Sequence, residues 1–356
     1  MAPVFIVGAT GAGKSEVAMA LARRHGAAIL AMDAMQVYRG ANIGTSKPSA
    51  AERAEIPHGG LDLVGLGQSF DVAQYLEHAA LFLREQRETG KPVIIVGGTG
   101  LYFRALTRGL CEAPQGSDEL RAKLNELSVE ELRERLKRVD PAMLERVDGA
   151  NPRRLVRAIE VMEETGRSLR DWQDKTPEPL VKEFAAFWIE REKKELEERI
   201  KQRVEAMFAA GWVEEVRGLV EKHGMEAVKS FPGIGYREIA EAMELRGQER
   251  SQVQLGNEEG KIIRGPSTAP RQARLPLRLR SGLGLLPRLP KDDSFFESRL
   301  RDTVAGSAMV AVKSDILVAT RQYAKRQLTW FAREPNLQKV MLSGTQPLPA
   351  ALLTLF

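Results

Sequence analysis

Cysteine is nearly absent, with Cys111 alone among 356 residues. A lone thiol excludes an internal disulfide framework, and His25, His58, His78 and His223 show no metal-ligand spacing with it, which argues against structural zinc. Long apolar runs are missing as well. A stretch such as "PVIIVGG" is strand-sized and bounded by proline or glycine, far short of the roughly 20 residues that span a bilayer. The glycine-rich stretch that begins at Gly8 leaves no room for a signal peptide. The chain is therefore expected to be cytoplasmic. Strong net charge is also lacking. The formal value is +5, but residues 261–291 hold eight Lys/Arg and no Asp/Glu, so the remainder stands at −3. Net charge alone thus names no nucleic-acid partner, and a basic surface would have to be assembled by folding. What is present, 43% apolar and 28% charged residues, is the balance of an ordinary globular enzyme.

Pattern along the chain predicts an α/β fold. "PVFIVGAT" reads as a buried strand, "SEVAMALARRHG" as a helix closed by glycine, "AAILAMD" as a second strand ending at Asp33, and "KPVIIVGGTGLY" as a third running into a Gly-rich turn. Strands alternating with helices imply a parallel, doubly wound sheet, whose ligands sit at the carboxyl ends of the strands. Those ends carry the glycine-rich loop, Asp33 and Thr99. Residues 1–115 are read as the first part of a phosphate-loop core and 116–185, rich in amphipathic charged helices, as a helical module. Residues 186–245 and 310–335 are assigned to the remainder of the core. Between them, 246–309 is basic and rich in Pro, Arg and Leu without period 2 or 3.6, a composition that favours loop or disorder.

"GATGAGKS" supplies the sharpest chemistry. Gly8, Gly13, Lys14 and Ser15 fit the phosphate-loop spacing between a strand and a helix. Backbone N–H groups and the helix N-terminus hold phosphate oxygens, Lys14 supplies a point charge, and Ser15 can ligate Mg2+. Such loops are usually associated with ATP or GTP, yet none of these contacts touches a base, so a diphosphate with any leaving group satisfies them. Asp33 reads as a magnesium-side carboxylate, as a general base, or as a helix cap. Gly97 and Gly98 permit a close backbone approach to a ligand, with packing as the competing use.

The blocks "GATGAGKS", "DAMQVYRGANIGTSKP", "IPHGGLDL", "FDVAQY", "VGGTGLYFRAL", "NPRRLVRAIEV", "GIGYREI" and "TRQYAKRQLTWF" stand in this order. In that order they resemble the tRNA dimethylallyltransferases, also called tRNA isopentenyltransferases, over residues 4–240 and 319–333. The resemblance implies a phosphate-loop core with a helical tRNA-binding module. It further implies transfer of a dimethylallyl group from its diphosphate to N6 of the adenosine 3′ of the anticodon, with Mg2+ as cofactor and the anticodon stem-loop as partner. A monomer is implied too. Carried over residue by residue, Thr10, Gly11, Ala12, Gly13, Lys14 and Ser15 match the diphosphate loop, and Arg203 a further diphosphate contact. Asp33 matches the general base. Asp33, Ala34, Met35 and Gln36, with Thr99, match the segment that meets the target adenosine. Arg121, Arg154, Arg157 and then Gly235, Tyr236 and Arg237 match tRNA contacts. By residue pattern alone those arginines read equally well as solvated helix faces, and Tyr38, Tyr102, Tyr236, Trp330 and Phe331 divide between base stacking and core packing.

Four departures stand out. Ala34 replaces serine, "FDVAQY" replaces "FSVADY", and "HGGLD" places Gly59 and Gly60 where the family has His and a large apolar residue, so local order there is expected to suffer. The largest lies between Arg237 and Thr320, where the basic segment is read as a non-contributing insertion, with an RNA-binding arm or a stretch foreign to the ancestral frame as alternatives. Two other functions remain open at this point: a small-molecule kinase in which Asp33 activates a hydroxyl, and an RNA-binding protein whose enzyme site has decayed.

Overall fold

The computed structural model describes residues 1–114, 116–175, 177–245, 293–344 and 349–353, with only the backbone for 293–308 and 350–351. The insertion assigned to 246–309 falls outside the described residues as far as 292; from Asp293 onward the chain is helical. Contacts divide the chain into two compact units, Met1–Arg39 with Lys47–Arg199 and Tyr323–Phe356, and Gly40–Ser46 with Ile200–Gln322.

The first unit is built on a parallel sheet. Its strands are β1 (Val4–Gly8), β2 (Ala28–Met32), β3 (His58–Gly59), β4 (Val93–Gly97), β5 (Ala185–Arg191) and β6 (Gln338–Leu342), in the order β3-β2-β4-β1-β5-β6. Every neighbouring pair is parallel, which bears out the doubly wound α/β reading. β1 and β2 are buried along their whole length, as strands covered on both faces must be. On one face Phe5, Val7, Leu30, Met32 and Ile95 join Tyr75, Tyr102 and Phe331 in a single core. The other face receives α1 (Lys14–His25), which packs on β1, β2 and β4 and buries Val17, Leu21 and Ala22. Two strands escape the hydrophobic pattern. β5 passes from an apolar run into Glu190 and Arg191, and β6 arises from a tail that resists assignment by composition, its buried Val340 and Leu342 alternating with exposed Lys339 and Met341 as at a sheet edge.

Other elements of this unit are α2 (Ala50–Glu55), α3 (Val72–Glu88) and α4 (Gly100–Arg108). α5 (Asp118–Asn125), α6 (Val129–Val139), α7 (Pro141–Arg146), α8 (Pro152–Thr165) and α9 (Leu169–Gln173) enclose a separate core of Leu124, Leu132, Leu136, Leu155 and Ile159. This is the helical module expected from the charged amphipathic stretches.

The second unit holds most of α10 (Lys193–Ala209), then α11 (Trp212–His223), α12 (Met225–Ser230), α13 (described over 236–245) and the first part of α14 (Asp293–Phe331). Residues 200–245, assigned from sequence to the core, gather instead around buried Trp212, Phe231 and Tyr236. Glu215 fastens this unit: its carboxylate accepts from the N–H groups of Asn42 at 2.9 Å, Ile43 at 2.7 Å and Gly44 at 3.3 Å, and from the Tyr236 hydroxyl at 2.7 Å. Among the described residues no helix is long and apolar enough to cross a membrane.

Candidate active site

The carboxyl ends of β1, β2 and β4 carry the glycine-rich loop, Asp33 and Thr99. The sheet order makes β4 the strand between the other two. Thr10 to Gly13 turn from β1 into α1; Gly11 has φ 81° and Gly13 φ 94°, left-handed values that side chains with a Cβ rarely adopt. Lys14 Nζ donates to Ala9 O at 2.7 Å, which folds the side chain over its own loop. Ser15 is exposed in the first turn of α1, with its hydroxyl oxygen available as a hard donor.

Asp33 follows β2 and organises its own turn, because Oδ1 accepts from Met35 N–H at 2.8 Å. The next amide, Ala34 N–H, donates to Thr99 Oγ1 at 3.1 Å. Thr99 therefore braces the residue beside the carboxylate, a role set by β2 and β4 being neighbours. Beneath this pair Tyr75 and Tyr102 stack at 4.0 Å with an 11° interplanar angle, and the Tyr75 hydroxyl donates to Ala31 O at 3.1 Å. Burial, then Tyr102 and the Asp33 charge, hold the Tyr75 phenol well above its ordinary pKa. Burial and Asp33 do the same for Tyr102. Both therefore stay neutral beside the carboxylate.

Three polar residues on this loop escape a reading by motif. Arg191, the last residue of β5, is buried and donates from Nε to Ala12 O at 2.9 Å while pairing with Glu195. Arg199 on α10 donates from Nε to Gly11 O at 3.0 Å and from a terminal nitrogen to Glu16 at 2.7 Å. Gln327, buried on α14, accepts from Thr10 N–H at 2.8 Å. The signal for Arg191 was its place at a strand's carboxyl end, but β5 itself had gone unrecognised. Gln327 stands inside "TRQYAKRQLTWF", where the exposed Arg321, Lys325 and Arg326 draw attention first.

Packing requires Gly97 and Gly98 to lack a side chain. A Cβ at Gly97 would overlap Met32 O, and one at Gly98 the Gln327 amide nitrogen. The expectation of poor order at Gly59 and Gly60 is also corrected. Gly59 pairs with Leu30 in β3 and lies on the Phe82 ring, where a Cβ would come within 2.6 Å. Gly60, at φ 79°, donates its N–H to His78 Nε2 at 2.9 Å. Larger residues would collide here; the two glycines match a β3 drawn close to α3.

Each of the remaining sequence-derived residues lies within one of the two units. Met35 and Gln36 continue the Asp33 turn, half-buried. Arg121 and Arg157 take partners inside the helical module while staying partly exposed. Arg121 Nε donates at 2.7 Å to buried Glu160, and Arg157 donates to the carbonyls of Ala113 at 2.7 Å and Pro114 at 2.8 Å. Arg154 is exposed at the start of α8. In the second unit, Gly235 N–H meets Glu238 at 2.9 Å and Arg237 is exposed beside Glu241. Tyr236 is fully buried and its ring is committed to Trp212 and Phe231. Arg203 lies on the part of α10 that belongs to the second unit. Core packing likewise claims Tyr102 and Phe331.

A family model described as IPP transferase matches residues 36–261. A tRNA dimethylallyltransferase of Methylacidiphilum infernorum (isolate V4) is 45% identical over 250 residues, covering 70% of this chain and 76% of that protein. The tRNA dimethylallyltransferase 1 of Citrifermentans bemidjiense is 39% identical over 343 residues, 96% of this chain and 92% of its own length. Among solved structures, the full-length tRNA isopentenylpyrophosphate transferase from Bacillus halodurans is similar with a TM-score of 0.54 at 25% identity, covering 96% and 89% of the two chains. A eukaryotic dimethylallyltransferase described as acting on tRNA reaches a TM-score of 0.66 at 19% identity, a likeness of fold.

Proposed function

The chain belongs to the IPP transferase family, and from that membership we propose that it transfers a dimethylallyl group from dimethylallyl diphosphate to N6 of the adenosine 3′ of the anticodon in tRNA, as a cytoplasmic monomer. The observation that carries the reading is the pairing of a phosphate loop with a braced carboxylate, Asp33, at the carboxyl ends of one parallel sheet. A phosphoryl-transfer alternative would use the same loop, but the relatives at 45% and 39% identity are tRNA dimethylallyltransferases.

The adenine amine forms a C–N bond to the allylic carbon while that carbon's bond to oxygen breaks, its electron pair leaving on diphosphate. The amine proton passes to the Asp33 carboxylate. An exocyclic amine is a weak nucleophile, so a base at hydrogen-bond distance is needed, and the target base has to leave its stack to reach it. Thr99 keeps Asp33 in place by holding the Ala34 amide. The loop amides from Thr10 to Gly13 and Lys14 stabilise charge where it develops on the leaving group.

The donor set at the loop fits Mg2+. Ser15 offers one exposed hydroxyl oxygen, and a magnesium ion takes few protein ligands and several from substrate phosphates and water. Bound there, the ion would neutralise diphosphate charge, with Ser15 as its protein ligand. Arg121, Arg154, Arg157, Gly235 and Arg237 are proposed to meet tRNA, mostly through its phosphates, so affinity should fall with salt. Tyr236, fully buried, instead donates its hydroxyl to Glu215.

The test is incubation with Mg2+, labelled dimethylallyl diphosphate and unmodified tRNA, followed by mapping of the label. Label in the adenosine 3′ of the anticodon is expected. Turnover of ATP without label would refute the reading in favour of a kinase, and tRNA binding without transfer would make the chain an RNA-binding protein.

A further inference from the structure

Gln327 makes two hydrogen bonds that no phosphate loop requires. Its Oε1 accepts from Thr10 N–H at 2.8 Å, and its Nε2 donates to Gly98 O at 2.9 Å. The partners lie 317 and 229 residues away in sequence. The amide orientation is fixed by chemistry, because a backbone N–H can only donate and a carbonyl can only accept. Gly98 is shaped for this guest: any Cβ there would overlap Nε2. Gln327 itself is buried, so neither bond has water as a ready substitute.

The two partners belong to opposite halves of the reaction. Thr10 opens the loop proposed to hold the diphosphate. Gly98 precedes Thr99, whose hydroxyl holds the Ala34 amide beside Asp33. One side chain from α14 thus joins the leaving-group loop to the brace of the base. We propose that Gln327 is a positioning residue that sets the distance between the allylic diphosphate and the amine activated by Asp33. This inference rests on the prenyl-transfer reading and adds to it a geometric control contributed by the last long helix.

Displacements on the order of 1 Å at a reacting centre change rates by about 100-fold, so losing the link should act on kcat more than on binding. Gln327→Met keeps length and removes both bonds; Gln327→Glu keeps an acceptor for Thr10 and loses the donor to Gly98. Transfer assays on the full chain with unmodified tRNA should show kcat lowered roughly 30- to 100-fold for Gln327→Met and at least as much for Gln327→Glu, whose buried carboxylate faces the Gly98 carbonyl, with KM for both substrates within about threefold. Gly98→Ala should displace the amide from the other side, and adding it to Gln327→Ala, which vacates that space, should cost little more than Gln327→Ala alone. Changes in KM alone, or additive losses in the double variant, would overturn the proposal.

A second readout does not depend on turnover. Hydrogen exchange of the segments containing Thr10 and Gly98 should quicken in Gln327→Met, while the helical module around Leu132 and Ile159 stays as protected as before. Unchanged exchange at Thr10 would refute the link even with activity altered, and uniform deprotection would mark Gln327 as a general stabiliser. If the unaltered chain transfers no prenyl group, the functional reading fails, and the exchange result still decides whether Gln327 ties the loop to β4.

Discussion

Replacing Asp33 by Asn separates the chemistry of this carboxylate from its structural use. In the structure its Oδ1 accepts from Met35 N–H at 2.8 Å, and the neighbouring Ala34 amide is held by Thr99 rather than by Asp33. Asparagine retains an oxygen for Met35, so the turn keeps its bond in neutral rather than charge-assisted form, a difference of about 1 kcal/mol. Alanine removes the acceptor and leaves a partly buried amide to be satisfied otherwise, costing roughly 1–3 kcal/mol. A positioned general base contributes about 10²–10⁴ in rate, or roughly 3–5 kcal/mol of barrier. The catalytic effect therefore exceeds the structural one in Asp33→Asn, and the two variants should differ in stability far more than in rate. The assay is single-turnover transfer with saturating dimethylallyl diphosphate, beside urea unfolding and tRNA affinity for each protein. Expected for Asn are a rate loss of about 100-fold or more, stability within about 1 kcal/mol, and tRNA affinity within a few-fold. An Asn variant that kept more than a tenth of the rate would refute the base assignment. Loss of tRNA binding in parallel with rate would instead make Asp33 a structural residue.

Other expectations follow from the same bonds. Arg191→Met keeps the buried stem and removes the bond to Ala12 O; a loss of about 1.4 kcal/mol in loop order would raise KM for the prenyl diphosphate about tenfold, and an unchanged KM would exclude Arg191 from shaping the loop. Burial holds His78 below its ordinary value of 6.5, and burial does the same for His58. The unfolded chain then takes up protons first on acidification, so their contribution to stability is present above about pH 6.5 and is lost as the pH falls through the lowered folded values. Thermal midpoints measured from pH 8 to about pH 5 should decline, and His78→Gln should flatten part of that slope while keeping an acceptor for Gly60. In the helical module Arg121→Met leaves Glu160 buried with only Arg157, 3.9 Å away, as charge partner. It should destabilise by roughly 3 kcal/mol in urea unfolding, more than Glu160→Gln, whose orphaned arginine reaches solvent; the opposite ranking would disprove the burial argument.

The parts readable along the chain were those in which function and local pattern coincide. The phosphate loop needs glycines at positive φ, a lysine and a hydroxyl within eight residues, so Gly8 to Ser15 declare themselves. Asp33 and Thr99 became candidates because a doubly wound sheet puts ligands at strand ends. Arg191 and Gln327 were missed for a shared reason: each lies in a charged or polar stretch whose helical or strand surroundings look ordinary, and its importance comes from a partner 179 or 317 residues distant. Gly59 and Gly60 were misread as a weakness because a missing side chain looks like lost packing until the neighbouring ring and carbonyl are seen.

Sequence alone determined the α/β class and the family, because hydrophobic periodicity, turn residues and motif spacing are local properties that survive without a third dimension. Tertiary structure decided which partners the polar groups take. Arg121, Arg157 and Tyr236 spend donors or rings on internal partners, while Gln327 reaches from the last long helix into the loop that follows the first strand. A side chain's role depends on what desolvates it and what answers its hydrogen bonds, and those partners are chosen by the packing of elements far apart in the chain.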